Sequence, residues 1–584
     1  MNDTNPEIPS AWKRPLQGWL GWVIFALAGA VLSAIAWWVI GLVTEEPFET
    51  NTASRLLIAV GIGFAVAAAL KFLAWSVCSW ENFKHALLGC ASVAGLVALF
   101  YAEEDIRGWL TWHQFKSHWE AKGEKFDFAD FIPPVVPDEQ NFAMAPVVAS
   151  TYGRVLDHNG KAKQPQDESI TNQLQMPLAI DDEGPRNGMG DWQRAIPSNL
   201  EGWQQYYRDL AETTNVFPVA AQAQSPGADV LLALSKYKTI LEALREAAAR
   251  PASRFPLNYE QEQTFAILLP HLAPLKQSAG VLRFRALAEL QAGQAEEAMA
   301  DIRLGLNLTE KIRSEPFLIS HLVRIAMFQI IQQAIWEGLY ERRWTDAQLA
   351  QLDRDLARFD FVADYVTAMR GENACDVSAI NYLRHHANLL GSLGEFNNEN
   401  RSRKVSDLGA FLMPSGWFYQ NETRASRFIL EEFLPVADVT HHTFSTEQVD
   451  QAGKSLAELP HTPYTLIARM LLPALTRSSH RFAFAQASLD LARCGCALER
   501  YRLATGNYPE ELSLLAPRFL ASVPVDPIGG QSLHYQSEPN GSFILYSVGW
   551  NGTDDGGHIA SRKGAAVDLD KGDWVWRYPN SKKL

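Results

Sequence analysis

Apolar and polar positions divide the chain into a strongly apolar first hundred residues and a mixed remainder. From Gly18 to Val43 no charged residue interrupts the run GWLGWVIFALAGAVLSAIAWWVIGLV. A bilayer core of ~30 Å takes about 20 helical residues, so this run is long enough to span with some tilt. Trp19, Trp22, Trp37 and Trp38 lie towards its ends, where amphipathic rings favour the membrane interface. A second run, Leu56 to Val77, is broken only by Lys71, close enough to one end for its ammonium to reach the headgroups. A third, Ala86 to Ala102, sits at the short limit for a span. The pattern therefore predicts transmembrane α-helices at about 18–43, 56–77 and 86–102, forming an anchor over 1–103. The first run is too long for the core of a cleaved signal peptide.

Periodicity changes after residue 103. DIRGWLTWHQFKSHWEAKGEKFD reads as an amphipathic helix ending at Gly123, and Pro133, Pro134 and Pro137 then favour extended chain. Residues 153 to 200 are polar and turn-rich, an irregular connection with room for a short strand pair. Helical spacing returns near 228, with Leu231, Leu234, Tyr237, Ile240, Leu241 and Leu244 on one face. Residues 286–306 read as helix, glycine turn, helix. A single such unit does not make a tetratricopeptide array, which would recur about every 34 residues. FLISHLVRIAMFQIIQQAIWEGLY, between Pro316 and Trp344, is apolar enough to pass for a span. Its His321, Arg324, Gln329, Gln332 and Gln333 favour a buried helix of an α-helical body instead. A further helix is expected from Phe361 to Leu390.

Charge adds a direction. Lys13 and Arg14 precede the first run, Lys71, Lys84 and His85 flank the second turn, and Glu103, Glu104 and Asp105 follow the third. Basic residues stay on the cytoplasmic side, so the N-terminus is expected inside and the body outside, in the periplasm of a bacterial inner membrane. The net charge of −14 opposes general nucleic-acid binding, which needs a basic face. The five cysteines read as small buried hydrophobes, and Cys494 and Cys496 have neither disulfide nor C-x-x-C spacing.

Catalytic motifs are not evident. The pairs His385–His386 and His441–His442 are adjacent, and adjacent helical residues point about 100° apart, so neither pair chelates as i and i+4 would. Gly453-Lys454-Ser455 ends like a phosphate loop, but Gln448 stands where the first glycine belongs. A membrane-tethered hydrolase built from distant His and carboxylate residues is the alternative to a non-enzymatic protein.

The last hundred residues carry the densest pattern. Phe482, Ala485, Leu489, Ala492 and Cys496 give one apolar helix face, with Gly506 placed to end the helix. Pro524-Val525-Asp526-Pro527-Ile528-Gly529-Gly530 reads as a tight turn. The alternating runs SLHYQS and SFILYSVG flank Glu538-Pro539-Asn540-Gly541, a hairpin signal, and lead into Trp550-Asn551-Gly552-Thr553-Asp554-Asp555-Gly556-Gly557. Over about 80 residues this order resembles the globular domain of the type II secretion major pseudopilin. The resemblance implies a small α+β module and a calcium-binding loop. Independently, calcium takes about six to eight oxygen ligands, and Ser547, Asn551, Asp554 and Asp555 could supply them. The chain departs from the family in lacking its leader and processing site, and the matching helix is internal, so filament assembly does not carry over. The whole layout is similar to large membrane-anchored proteins of planctomycete and verrucomicrobial bacteria.

The expectation is thus a multidomain protein: a transmembrane anchor over 1–103, an amphipathic helix and irregular connection over 104–200, a mainly α-helical soluble body over 201–475, and a small C-terminal α+β pseudopilin-like module over 476–584. Its expected role is interaction or scaffolding beside envelope protein partners, with the lipid bilayer as its support.

Overall fold

A computed structural model describes residues 25–33, 60–69, 71–72, 80–152, 174–180, 184–185, 188–386, 389, 413–538, 541–562 and 567–577. The described chain is mainly helical, with small antiparallel sheets near the C-terminus. It divides into two units, residues 1–113 with 383–420, and residues 114–382 with 421–584.

In the first unit, helices α1 (25–33) and α2 (Val60–Ala69) approach through small residues. A Cβ built on Gly63 would stand 2.1 Å from Ser33 Oγ, and Ser33 Oγ donates to Gly29 O at 2.6 Å. Such contacts let apolar helices pack backbone to backbone. The rest of the first two expected spans lies outside the described residues. Helix α3 (Trp80–Glu120) takes in the third expected span and most of the amphipathic stretch after it, expected as separate elements, in 41 continuous residues. Nothing between 102 and 105 breaks it, since Glu103, Glu104 and Asp105 all tolerate helix and Arg107 pairs with Glu103 at i,i+4 and with Glu104 at i,i+3. Leu87, Leu88, Val93, Leu96 and Leu99 are each more than 60% exposed. The stretch is thus apolar and bare of protein. Glu104 is buried and accepts from Trp417 Nε1 at 3.0 Å.

The second unit is built on helices α4 (Leu200–Ala211), α5 (Pro226–Leu234), α6 (Lys238–Ala248), α7 (Leu272–Gln291), α8 (Ala295–Glu310), α9 (Leu318–Tyr340), α10 (Asp346–Leu356) and α11 (Phe361–His385), the last running on into the first unit. Beyond lie α12 (Ser415–Arg427), again shared, α13 (Thr446–Ala457) and α14 (Ala474–Thr505). α7 and α8 form the predicted hairpin, turning at Gly293 with φ +77°, but α7 starts fourteen residues earlier than its pattern suggested. α9 packs on α7, α8 and α14 and is buried on most of its circumference. Of the described helices only α3 and α9 are long and apolar enough to cross a membrane, and α9 is enclosed by protein. Its polar residues are matched inside: Gln332 Nε2 donates to Ser488 O at 2.9 Å, and Arg324 pairs with Glu310 and Asp364 between the rings of Phe359 and Phe361.

α14 ends at Gly506 (φ +91°), as its sequence indicates. It is buried almost all round from Phe482 to Glu499, not on one face. The reason is its neighbours: Gln486 Oε1 accepts from Phe361 N, Arg493 pairs with Asp353, and Trp576 covers Gly495. Residues 201–382 and 421–475, from the expected body, and the described part of 476–584, the expected module, lie in the same unit. Strands β1 (Ala437–Asp438) and β2 (Thr443–Phe444) form a minimal hairpin. Strands β3 (His534–Glu538) and β4 (Ser542–Ser547) pair antiparallel as the turn signal predicts; Pro539 and Asn540 lie outside the described residues. β5 (Ile559–Ser561) pairs with β6 (Val567–Gly572), while β7 (Trp574–Arg577) joins β4 and buries Trp574 and Trp576.

Candidate functional site

The segment 174–180, within the polar connection that precedes α4, has no regular structure but is firmly held. Tyr237 OH donates to Pro177 O at 2.7 Å, Tyr207 OH to Leu178 O at 3.0 Å, and Ile180 N donates to Tyr206 OH at 2.8 Å. Met176 N donates to Gln277 Oε1 at 3.3 Å. With its backbone groups satisfied by side chains, the segment stands off α7 and lines an open cleft of about 660 Å³. Met176, Pro177, Leu178, Pro185, Met189, Trp203 and Ile330 supply apolar walls, and Ala273, Lys276, Gln277 and Gly280 of α7 the floor. Trp203 is fixed by Nε1 donating to Gly188 O at 2.9 Å and by Phe284, 4.9 Å away. A Cβ on Gly280 would meet only Leu178 Cδ1, at 3.7 Å, an ordinary van der Waals contact, so a methyl fits but a longer side chain would take up cavity space. The volume falls within the range of about 300–1,000 Å³ usual for small-molecule pockets.

Arg283 lies one turn along α7 from Gly280. It is 5% exposed, and its guanidinium sits over the Phe284 ring at 4.6 Å. Its one hydrogen bond among the described residues runs from Nη2 to Met189 Sδ at 3.1 Å, and Nε is buried without a partner. A thioether is a weak acceptor, and a buried cation is ordinarily paired. Burial pulls the guanidinium down to about 10, against the attraction of Glu337. Glu337 is committed elsewhere: it accepts from Ser198 N, Ser198 Oγ and Gln333 Nε2, and burial raises its carboxyl. Sequence reading missed Arg283. The signal was there, since Ala279, Gly280, Ala286 and Leu287 at helical spacing surround a lone arginine with small and apolar neighbours.

A second polar concentration is sealed. His271 Nε2 lies 2.6 Å from Glu315 Oε1, off the line of a hydrogen bond, and Ser320 Oγ donates to the same carboxylate. His271 stacks on Phe255 at 3.9 Å, and burial pushes His321 down to about 3. All four polar residues are at most 1% exposed. Glu315 stands between serine and histidine, so no relay from serine through histidine exists here. The cluster ties the start of α7 to the start of α9.

The histidines weighed from sequence are not gathered around a carboxylate pair. His441 Nδ1 meets Asp438 Oδ2 at 2.6 Å in its own exposed turn, and His442 Nδ1 lies 3.7 Å from Asp360. His385 ends α11, with His386 just beyond.

The four residues proposed for calcium have protein partners in the structure. Ser547 Oγ donates to Asp526 Oδ1 at 2.7 Å, away from the loop. Asn551 Nδ2 donates to Asp555 Oδ2 at 2.9 Å, while Asp554 accepts from Tyr546 OH and Gly556 N. Among the described residues, no cluster of three or more His, Cys, Asp or Glu is placed to hold a metal. Two carboxylates that sequence reading passed over organise this end. Asp526, of the D-P-I-G-G turn, accepts from Ile528 N, Ser547 Oγ and Val548 N. Asp573 accepts from Asp555 N and Gly557 N, pinning the glycine loop.

No family profile, curated protein or solved structure matches the chain.

Proposed function

We propose that this is a membrane-anchored envelope protein that works by binding, and that its ligand is a small apolar or amphipathic molecule held in the cavity lined by Met176, Pro177, Leu178, Pro185, Met189 and α7. The cavity carries the reading: its walls are apolar, its backbone is fixed by three tyrosine hydroxyls, and its floor is opened by Gly280. The bare apolar surface of α3 and the Gly63–Ser33 approach support anchoring in a bilayer. The distribution of Lys13, Arg14, Lys71 and Lys84 supports a periplasmic body on the bacterial inner membrane. The order of helix, D-P-I-G-G turn and hairpin supports a pseudopilin-like ending, through which the protein would meet secretion or envelope partners. Calcium at the 547–557 loop stays a proposal that requires Asp554 and Asp555 to leave their present partners.

Photolabelling of the full chain in phosphatidylcholine nanodiscs with a diazirine-bearing octanol tests the reading. Label is expected on residues 174–189 and 273–280, and Gly280→Leu is expected to remove it by filling the space. Label confined to α3, or unchanged in Gly280→Leu, would contradict it.

A further inference from the structure

The cavity has one charged wall residue among those described, Lys276, which is exposed to solvent. No described carboxylate lines it. Along the same stripe of α7, Arg283 sits beyond Gly280, separated from the cavity by Met189. Met189 is 46% exposed and lies in a turn between Gly188 and Gly190. A methionine is unbranched and rotates easily, so it can yield its place to a better acceptor. Building on the binding role proposed above, we infer that the cavity takes a single-chain amphiphile with a carboxylate end, a fatty acid, whose carboxylate displaces Met189 from the Arg283 guanidinium while its chain lies between Trp203 and Gly280. The fork of an arginine fits a carboxylate with two parallel hydrogen bonds, which a thioether cannot supply. Lys276 draws the anion towards the cavity from solvent. The same arrangement disfavours a cationic amphiphile, which would meet two positive groups and no acid among the described residues.

Competition against the octanol photoprobe tests this in the full chain in nanodiscs, read at peptides 273–280. Octanoate is expected to displace the probe at a concentration about tenfold below that needed with octanol, as one charge-assisted pair would give. Arg283→Gln should abolish that preference, weakening octanoate competition more than octanol competition. Arg283→Lys, which keeps the charge and guards against misfolding of the neutral variant, should retain part of it. Equal competition by octanoate and octanol in the unmodified protein would overturn the carboxylate assignment while leaving the binding role intact. Absence of probe from the cavity altogether would remove the binding role first. Stronger competition by an apolar peptide ending in a free carboxylate than by octanoate would also overturn the fatty-acid assignment.

Discussion

Replacing Arg283 by methionine should stabilise the empty protein while removing its preference for an anion. Burial pulls the guanidinium down to about 10, well below its ordinary value, and each tenfold step is worth about 1.36 kcal/mol, so holding the charge there costs about 3 kcal/mol. Loss of the contact with the Phe284 ring returns about 0.5–1 kcal/mol of this. Glu337, which loses an attractive charge, takes back a further part. A net gain of about 1–2 kcal/mol follows. The pH dependence has a defined sign. A base with a lowered folded value carries its full cost at every pH below that value, and the cost disappears as pH rises through about 10 towards 12.5. The advantage of Arg283→Met should therefore be flat from pH 6 to 8.5, apart from the contribution of Glu337, which Arg283→Met/Glu337→Gln isolates. Urea unfolding of the full chain in nanodiscs, followed by tryptophan fluorescence, measures it. Octanoate should raise the stability of the unmodified protein and leave the variant unchanged. A variant less stable than the parent by 1 kcal/mol or more at pH 7 would mean that Arg283 serves packing, and the reasoning would fail.

Other consequences can be measured on the same preparation. Burial holds the Asp490 carboxyl up to about 7, so the protein should lose stability as pH rises from about 4 to 7 and level off above that; Asp490→Asn should cancel the slope and gain up to about 4 kcal/mol at pH 8, and parallel pH profiles for the two proteins would refute this. Asp526→Ala strands two backbone amides and the Ser547 hydroxyl, for a cost of about 2–4 kcal/mol; an unchanged Tm would show that the D-P-I-G-G turn stands without its clasp. Melting with calcium and with chelator decides the 547–557 loop, since a rise with calcium supports the metal proposal and superimposed curves end it.

Much of the helical framework is legible in the sequence because its signals are local. Gly293 and Gly506 stop their helices by positive φ, the β3–β4 hairpin follows its turn residues, and the polar side chains of α9 mark it as internal. What was hidden depends on distant partners. α14 looks one-sided in sequence, yet α9, α10 and the strand bearing Trp576 cover its remaining faces. The continuity of α3 past residue 102 was hidden by a change from apolar to charged residues, although charge does not interrupt a helix. The cavity was invisible because part of its wall comes from an irregular segment, 176–180, held by tyrosines of α4 and by Tyr237. The loop carboxylates were legible as residues but not as geometry: Asp554 and Asp555 are where the pattern put them, while Asp526 and Asp573 make the contacts that set the turns.

The central claim is that one amphiphile occupies one cavity in the helical body. Native mass spectrometry of the full chain, released from nanodiscs after equilibration with octanoate, tests it most directly. The account predicts a single saturable octanoate adduct, lost in Gly280→Leu and weakened in Arg283→Gln. Adducts that grow without saturation, or a single adduct that survives Gly280→Leu undiminished, would contradict it.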